Sequence, residues 1–291
     1  VFQFKKREFK YEVSRYINTS NLLKENWETS DIEIKKHRGY IAYKQNSIYK
    51  LGLQQISFGY ADYLRPLDWF DTLDPLTITP ISDGVKALSR TRLKKNHNTK
   101  QWLLYENNEI QENQYFESKN HTTEYGGFYQ LFKKKSEHLI SYHYRQIQDI
   151  STHQTGQEFR VGTGHFFDKQ LPLWFEQSMS INQINHEKTI HVQAMAGFEI
   201  KKPYIKHTTL QIETMLEKTN NTNLGQQDWH SVLELCYEKN GFETINWIIF
   251  LDELHISEQL IKLKKRTQKS SFQWIYYIQS KTLSMSSYWN F

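Results

Sequence analysis

The stretch "LSMSSYWNF", Leu283–Phe291, places Leu283, Met285, Ser287, Trp289 and Phe291 at every second position, with Ser284, Ser286, Tyr288 and Asn290 between them. A period of two rather than 3.6 predicts a β-strand with one mostly apolar face and one face able to touch water. The same alternation recurs upstream. Thr189–Ile200 sets Ile190, Val192, Ala194, Ala196, Phe198 and Ile200 against His191, Gln193, Met195, Gly197 and Glu199. Residues 208–218 set Leu210, Ile212 and Leu216 against Gln211, Glu213 and Glu217, and residues 228–238 set Trp229, Leu233, Leu235 and Tyr237 against His230, Glu234 and Cys236. Ile245, Trp247, Ile249 and Leu251 then oppose Asn246 and Asp252, and Phe272, Trp274, Tyr276 and Ile278 oppose Gln273 and Gln279.

Extended over the whole chain, the pattern predicts further strands near 7–17, 31–44, 48–58, 84–94, 100–107, 122–134, 137–148, 156–168, 171–182 and 258–267. The breaks between them, such as "KTNNTNLGQQ" and "EKNGFE", are rich in Asn and Gly, the residues that tolerate turn dihedrals. "ISEQLIKLKKRTQKS", Ile256–Ser270, also fits an amphipathic helix, but its neighbours are strands and Ile261 and Leu263 alternate with Lys262, Lys264 and Arg266. The expectation is an all-β fold: a transmembrane antiparallel up-and-down β-barrel of about sixteen strands, within a range of 14–18, formed by residues 1–291 as a single domain. The longest connection without alternation is Gly59–Asp83, which carries Pro66, Pro75 and Pro80 and either stands outside such a barrel or folds into its lumen.

Composition fits this architecture. Aromatic residues make up 15% of the 291 residues while mean hydropathy is only −0.74. No apolar run approaches the roughly 20 residues of a spanning helix. Strands that are apolar on one side, with aromatic girdles around a polar lumen, give both values together. One cysteine, Cys236, excludes an internal disulfide framework, and no Cys/His spacing marks a metal site, so no cofactor or metal is expected. The net charge of +5 accompanies no nucleic-acid motif, so no nucleic-acid partner is expected. Val1 opens a charged segment without a signal peptide, which is the expectation for a mature or trimmed chain.

The segment "IYKLGLQQISFGYADYLRPLDWFD", Ile48–Asp71, resembles the "GRQ-x-x-x-WG … R-x-x-D" stretch of alginate-export-like and related porin-like outer-membrane barrels. Gly52, Gln54, Gln55, Gly59, Arg65 and Asp68 match or nearly match, whereas Leu53 stands where that family commonly has Arg and Phe58 where it has Trp. The similarity continues through "GVKALSRTRL", Gly84–Leu93. A strand closing on an aromatic residue is likewise similar to the last strand of bacterial outer-membrane barrels. That resemblance implies a Gram-negative outer-membrane location, with Phe291 as part of the signal read by the barrel assembly machinery. Arg65 and Asp68, three residues apart, are expected to fix the loop.

With the apolar faces turned to outer-membrane lipid, the other faces line a lumen. This predicts a basic wall of Lys50, Lys86, Arg90, Arg92, Lys94, Arg145, Arg160, Lys262, Lys264 and Arg266 facing an acidic wall of Glu199, Glu213, Glu217 and Glu234. Such a field passes small hydrophilic solutes, and an unbalanced basic ring favours anions. The functional expectation is therefore a diffusion channel or export pore. The alternatives are a structural barrel docking envelope protein partners, and a soluble extracellular β-rich binding protein. Catalysis has one candidate, Ser141 and His143 on one face of "LISYHYR", with no third residue to complete it, and no enzyme is expected.

Overall fold

The computed structural model describes residues 2–4, 9–19, 32–70, 84–105, 116–185, 187–201, 207–221, 224–239, 242–253, 255–266 and 270–289. Among them every regular element is a strand. In chain order these are β1 (Phe2–Phe4), β2 (Phe9–Thr19), β3 (Ile32–Lys44), β4 (Ile48–Gln54), β5 (Val85–Leu93), β6 (His97–Tyr105), β7 (Phe116–Ser118), β8 (Thr123–Lys133) and β9 (Ser136–Asp149). They continue as β10 (Thr155–Phe167), β11 (Leu173–Ile184), β12 (Glu187–Lys201), β13 (Thr208–Asn221), β14 (Leu224–Glu238), β15 (Glu243–Asp252), β16 (His255–Arg266), β17 (Ser270–Tyr277) and β18 (Thr282–Trp289).

Apart from the three-residue β1 and β7, sixteen strands form one antiparallel up-and-down sheet in which each pairs with the next, β6 being joined directly to β8. The all-β, antiparallel up-and-down order and the strand number are those predicted, and are consistent with a sixteen-strand barrel. The ambiguous segment 256–270 contributes β16, paired with β15 and β17, so cross-strand pairing decides against the helix. Strand 48–58 is shorter than predicted and ends at Gln54.

The period-two pattern separates two faces, one exposing large apolar side chains and the other burying polar groups together with an apolar core. One face carries exposed aliphatic side chains, among them Ile41, Leu51 (61% exposed), Leu103 and Ile140 (58% exposed). On the same face, exposed aromatic residues lie toward both rims as well as in mid-strand, where Tyr129, Tyr142 and Trp247 stand. Phe9, Tyr11, Tyr49, Phe175 and Tyr237 lie toward the rim of short turns, and Tyr105, Tyr125, Phe159, Trp229 and Tyr276 toward the rim of long connections. Neighbouring strands bring such rings into contact, as for Phe9 with Tyr43 at 4.9 Å and Tyr125 with Tyr144 at 5.2 Å. The other face holds the buried polar groups, including Gln54, Glu124, His143, Glu158, Glu176, Gln211 and Glu213.

The buried face is the inside of a curved wall, because one segment touches it nearly all the way round. Residues 55–70 leave the top of β4 and pack against β5, β6 and β9 through Ile56, Leu67, Trp69 and Phe70. Tyr60, Ala61 and Leu64 meet Trp174, Met195 and Met215 of β11, β12 and β13, and Tyr63 and Leu64 meet Val232, Ile248, Leu260 and Ile275 of β14 to β17. A sixteen-residue stretch reaches the same face of strands from β5 to β17 only if the sheet curls around it.

Candidate functional site

Segment 55–70 is the candidate site, because it crosses the space that the sheet encloses. At its start, the Gln55 side chain accepts from Arg38 of β3 at 2.9 Å and its carbonyl accepts from Lys100 of β6 at 3.3 Å. Seven residues on, the Asp62 amide donates to Glu213 of β13 at 2.9 Å. Since seven residues span at most about 25 Å, the walls at β4 and β13 lie within that reach. These strands are eight steps apart in the sixteen-strand array, so the segment bridges the interior from one side to the other.

A backbone that leaves a sheet and enters an enclosed space still needs partners for its amides. Two wall carboxylates supply them for five consecutive residues. Glu176 of β11 accepts from the amides of Tyr60 and Ala61. Glu213 accepts from Asp62 and, through its other oxygen, from Tyr63 at 3.0 Å and Leu64 at 2.8 Å. Trp174 Nε1 donates to Glu213 at 3.2 Å, and Gln211 Nε2 bridges Glu213 and Asp62. Gly59 opens this turn with φ at 111°, and a Cβ there would meet the Glu176 carboxylate, so both backbone and space call for glycine. Gly162 of β10 gives the return of the segment room: a Cβ there would run into Leu67 and approach Trp69.

Arg65 and Asp68 pair within the segment at 2.9 Å, and the Asp68 amide bonds the Arg65 carbonyl, closing a turn around Pro66 and Leu67. The expected loop clasp is thus formed. Tyr60 accepts from Gln130 at 3.3 Å, and burial pushes its phenol up to about 12. Burial and the neighbouring Glu234 raise the Tyr63 phenol further, so both rings present neutral hydroxyls to the interior. Gln54, matched in the family stretch, bonds the Ala87 carbonyl at 2.8 Å and Ser89 at 2.6 Å, tying the segment's root to β5.

The predicted basic wall is corrected on β5. Val85, Ala87 and Ser89 are the buried residues of that strand, while Lys86, Leu88, Arg90 and Arg92 face outward and Lys94 lies exposed in the following turn. The physical reason is segment 55–70: Phe70 and its neighbours make the inner side of β5 apolar, so Val85 and Ala87 belong inside. Arg90 lies over the outward Tyr49 ring at 5.9 Å. Arg145 and Arg160 do face inward, but both bond Glu158, whose carboxylate offsets one of their two charges within the wall. Lys50 faces inward over the Tyr40 ring at 4.3 Å, and Lys262 and Lys264 share the inner face of β16 with buried Leu260. The side chain of Arg266, and Phe291 altogether, lie outside the described residues.

All four predicted acids take the inner face. Glu213 is fully buried, Glu234 accepts from Asn246, Glu217 bonds Gln193 at 3.2 Å and Glu199 pairs with Lys201 at 3.1 Å. The basic side opposite them consists of Arg38, Lys50 and Lys100. Arg38, Lys100 and Glu176 were not singled out from sequence. Their signal was alternation alone: each occupies the polar face of a predicted strand or its immediate edge.

Ser141 and His143 both point inward without forming a catalytic pair. The Ser141 hydroxyl bonds the Gly162 carbonyl at 3.3 Å. His143 Nδ1 accepts from Trp102 at 3.2 Å, which leaves Nε2 to donate to Glu124 at 2.9 Å, and no ring nitrogen remains for the serine. No protein-family model matches the chain, and no curated protein matches it.

Proposed function

We propose that the chain is an outer-membrane β-barrel that passes small hydrophilic solutes through a lumen narrowed by segment 55–70. The observation that carries this reading is the outer face of the sheet, which exposes aliphatic and aromatic side chains strand after strand, while charged networks lie inside among apolar clusters. In water, so much contiguous exposed apolar surface is a liability; in lipid it is the stable arrangement. The aromatic bracket has a fitting height. On β14, Trp229 and Tyr237 lie eight residues apart on the outward face, which is about 27 Å along a strand and about 20 Å across a membrane at a tilt of about 40°.

Conduction is supported by inward side chains that keep contact with water. Lys10 and Glu12 of β2 are 45% and 27% exposed, and His191 and Glu217 of β12 and β13 are 26% and 28% exposed. The transverse field runs between Arg38, Lys50 and Lys100 on one side and Glu213, Glu217 and Glu234 on the other. A second reading, a closed barrel that docks envelope proteins, is favoured by the density with which Ile56, Leu67, Trp69 and Phe70 pack. Liposomes carrying the folded chain separate the two. The channel reading predicts swelling in iso-osmotic small sugars that falls steeply with sugar size; a docking barrel gives none.

A further inference from the structure

Away from the lumen, His138 of β9 and His165 of β10 stand directly opposite each other on the outward face, near the short-turn rim. Their Nδ1 atoms are 2.9 Å apart. We propose that these two imidazoles form a binding site for a divalent transition-metal ion, with Cu2+ preferred to Zn2+.

The two Nδ1 atoms face each other head-on, with ring centroids 5.2 Å apart, so chelation swings both rings about their side-chain bonds until the lone pairs converge on one ion. Imidazole suits Cu2+, Ni2+ and Zn2+ alike, and the intrinsic affinity order favours Cu2+. Ser136 supports either tautomer. Its hydroxyl lies 3.1 Å from His138 Nε2, and a hydroxyl both donates and accepts. In the hydrogen-bonded pair one Nδ1 carries the proton; on metal binding that ring shifts its proton to Nε2, and both Nδ1 lone pairs turn to the ion. Where that ring is His138, the Ser136 oxygen receives the new N–H. The site is edged by Phe167, whose ring meets His138 at 6.0 Å. Among the described residues no third His, Cys, Asp or Glu completes a closed cluster, so the remaining positions fall to water and the ion exchanges readily.

The test is titration of the untagged 291-residue chain, folded in detergent, with CuCl2 and separately with ZnCl2, followed by calorimetry and by electron paramagnetic resonance of the copper form. The expected result is one Cu2+ per chain with two equatorial nitrogens, bound more tightly than Zn2+. His138→Ala and His165→Ala should each lower Cu2+ affinity at least tenfold, and the double variant should lower it further. His138→Gln keeps a polar partner for His165 and Ser136, and it should fold normally while losing the ion. Undiminished Cu2+ binding in the double variant, no binding by the folded wild type, or tighter binding of Zn2+ than of Cu2+ would each overturn the proposal.

Discussion

At the scale of single residues, Glu213 is the pivot of the interior. It accepts three consecutive backbone amides and the Trp174 indole N–H from a position with no exposure. Glu213→Gln turns one acceptor into a donor facing buried donors. Urea unfolding in lipid should therefore register a loss of about 2–3 kcal/mol, and unchanged stability would remove Glu213 from its anchoring role. Orientation is tested one strand away. Ala194 shares the outward face with exposed Val192, whereas Gln193 points inward and bonds Ser178 and Glu217. Ala194→Arg should cost about 2–4 kcal/mol in the same assay, as a charge at mid-bilayer does, and Gln193→Arg should cost little. Reversal of the two costs would mean that inside and outside have been exchanged. The alternation of Thr189–Ile200 sufficed to place both residues. It did not reveal Glu213 as an anchor, because its partners lie about 150 positions earlier in the chain.

At the scale of elements, segment 55–70 explains both what sequence foretold and where it misled. Its glycine, Gly59, its Arg65–Asp68 clasp and its place at the end of a strand were legible locally. Its path across the interior was not, since it depends on Glu176 and Glu213 in strands far along the chain. The same path accounts for the inverted reading of β5. Period-two alternation separates two faces but does not say which is wet, and beside an apolar plug the inner face is the greasier one. Lys86 and Arg90–Arg92 then stand outward near the two ends of a short strand, with Leu88 between them. Replacing residues 57–68 with a short Gly-Ser linker should leave the sixteen-strand array folded and widen the passage. Liposome swelling should then extend to larger sugars than the wild type admits. Loss of the heat-resistant folded form in that variant would instead make the segment a structural core of the barrel.

At the scale of the whole molecule, the fold is the part of the account most legible in sequence, because repeated alternation with polar breaks specifies an up-and-down sheet wherever one face is buried in a different medium from the other. The electrostatic layout was legible only in outline. The acidic side is where alternation put it, while the basic side comes from Arg38, Lys50 and Lys100, which gather around the root of segment 55–70. Charges on a wetted wall act over about a Debye length, roughly 8–10 Å at physiological salt, so only inward charges set selectivity. The most direct test is the reversal potential of the chain in a planar bilayer under a salt gradient. The account predicts discrete ionic conductance in the wild type. It predicts a shift toward cations in Lys50→Glu/Lys100→Glu that is strong at low salt and weak at 1 M, and no shift in Arg90→Glu/Arg92→Glu. A folded wild type that conducts nothing, or a selectivity that follows Arg90 and Arg92 instead, would contradict it.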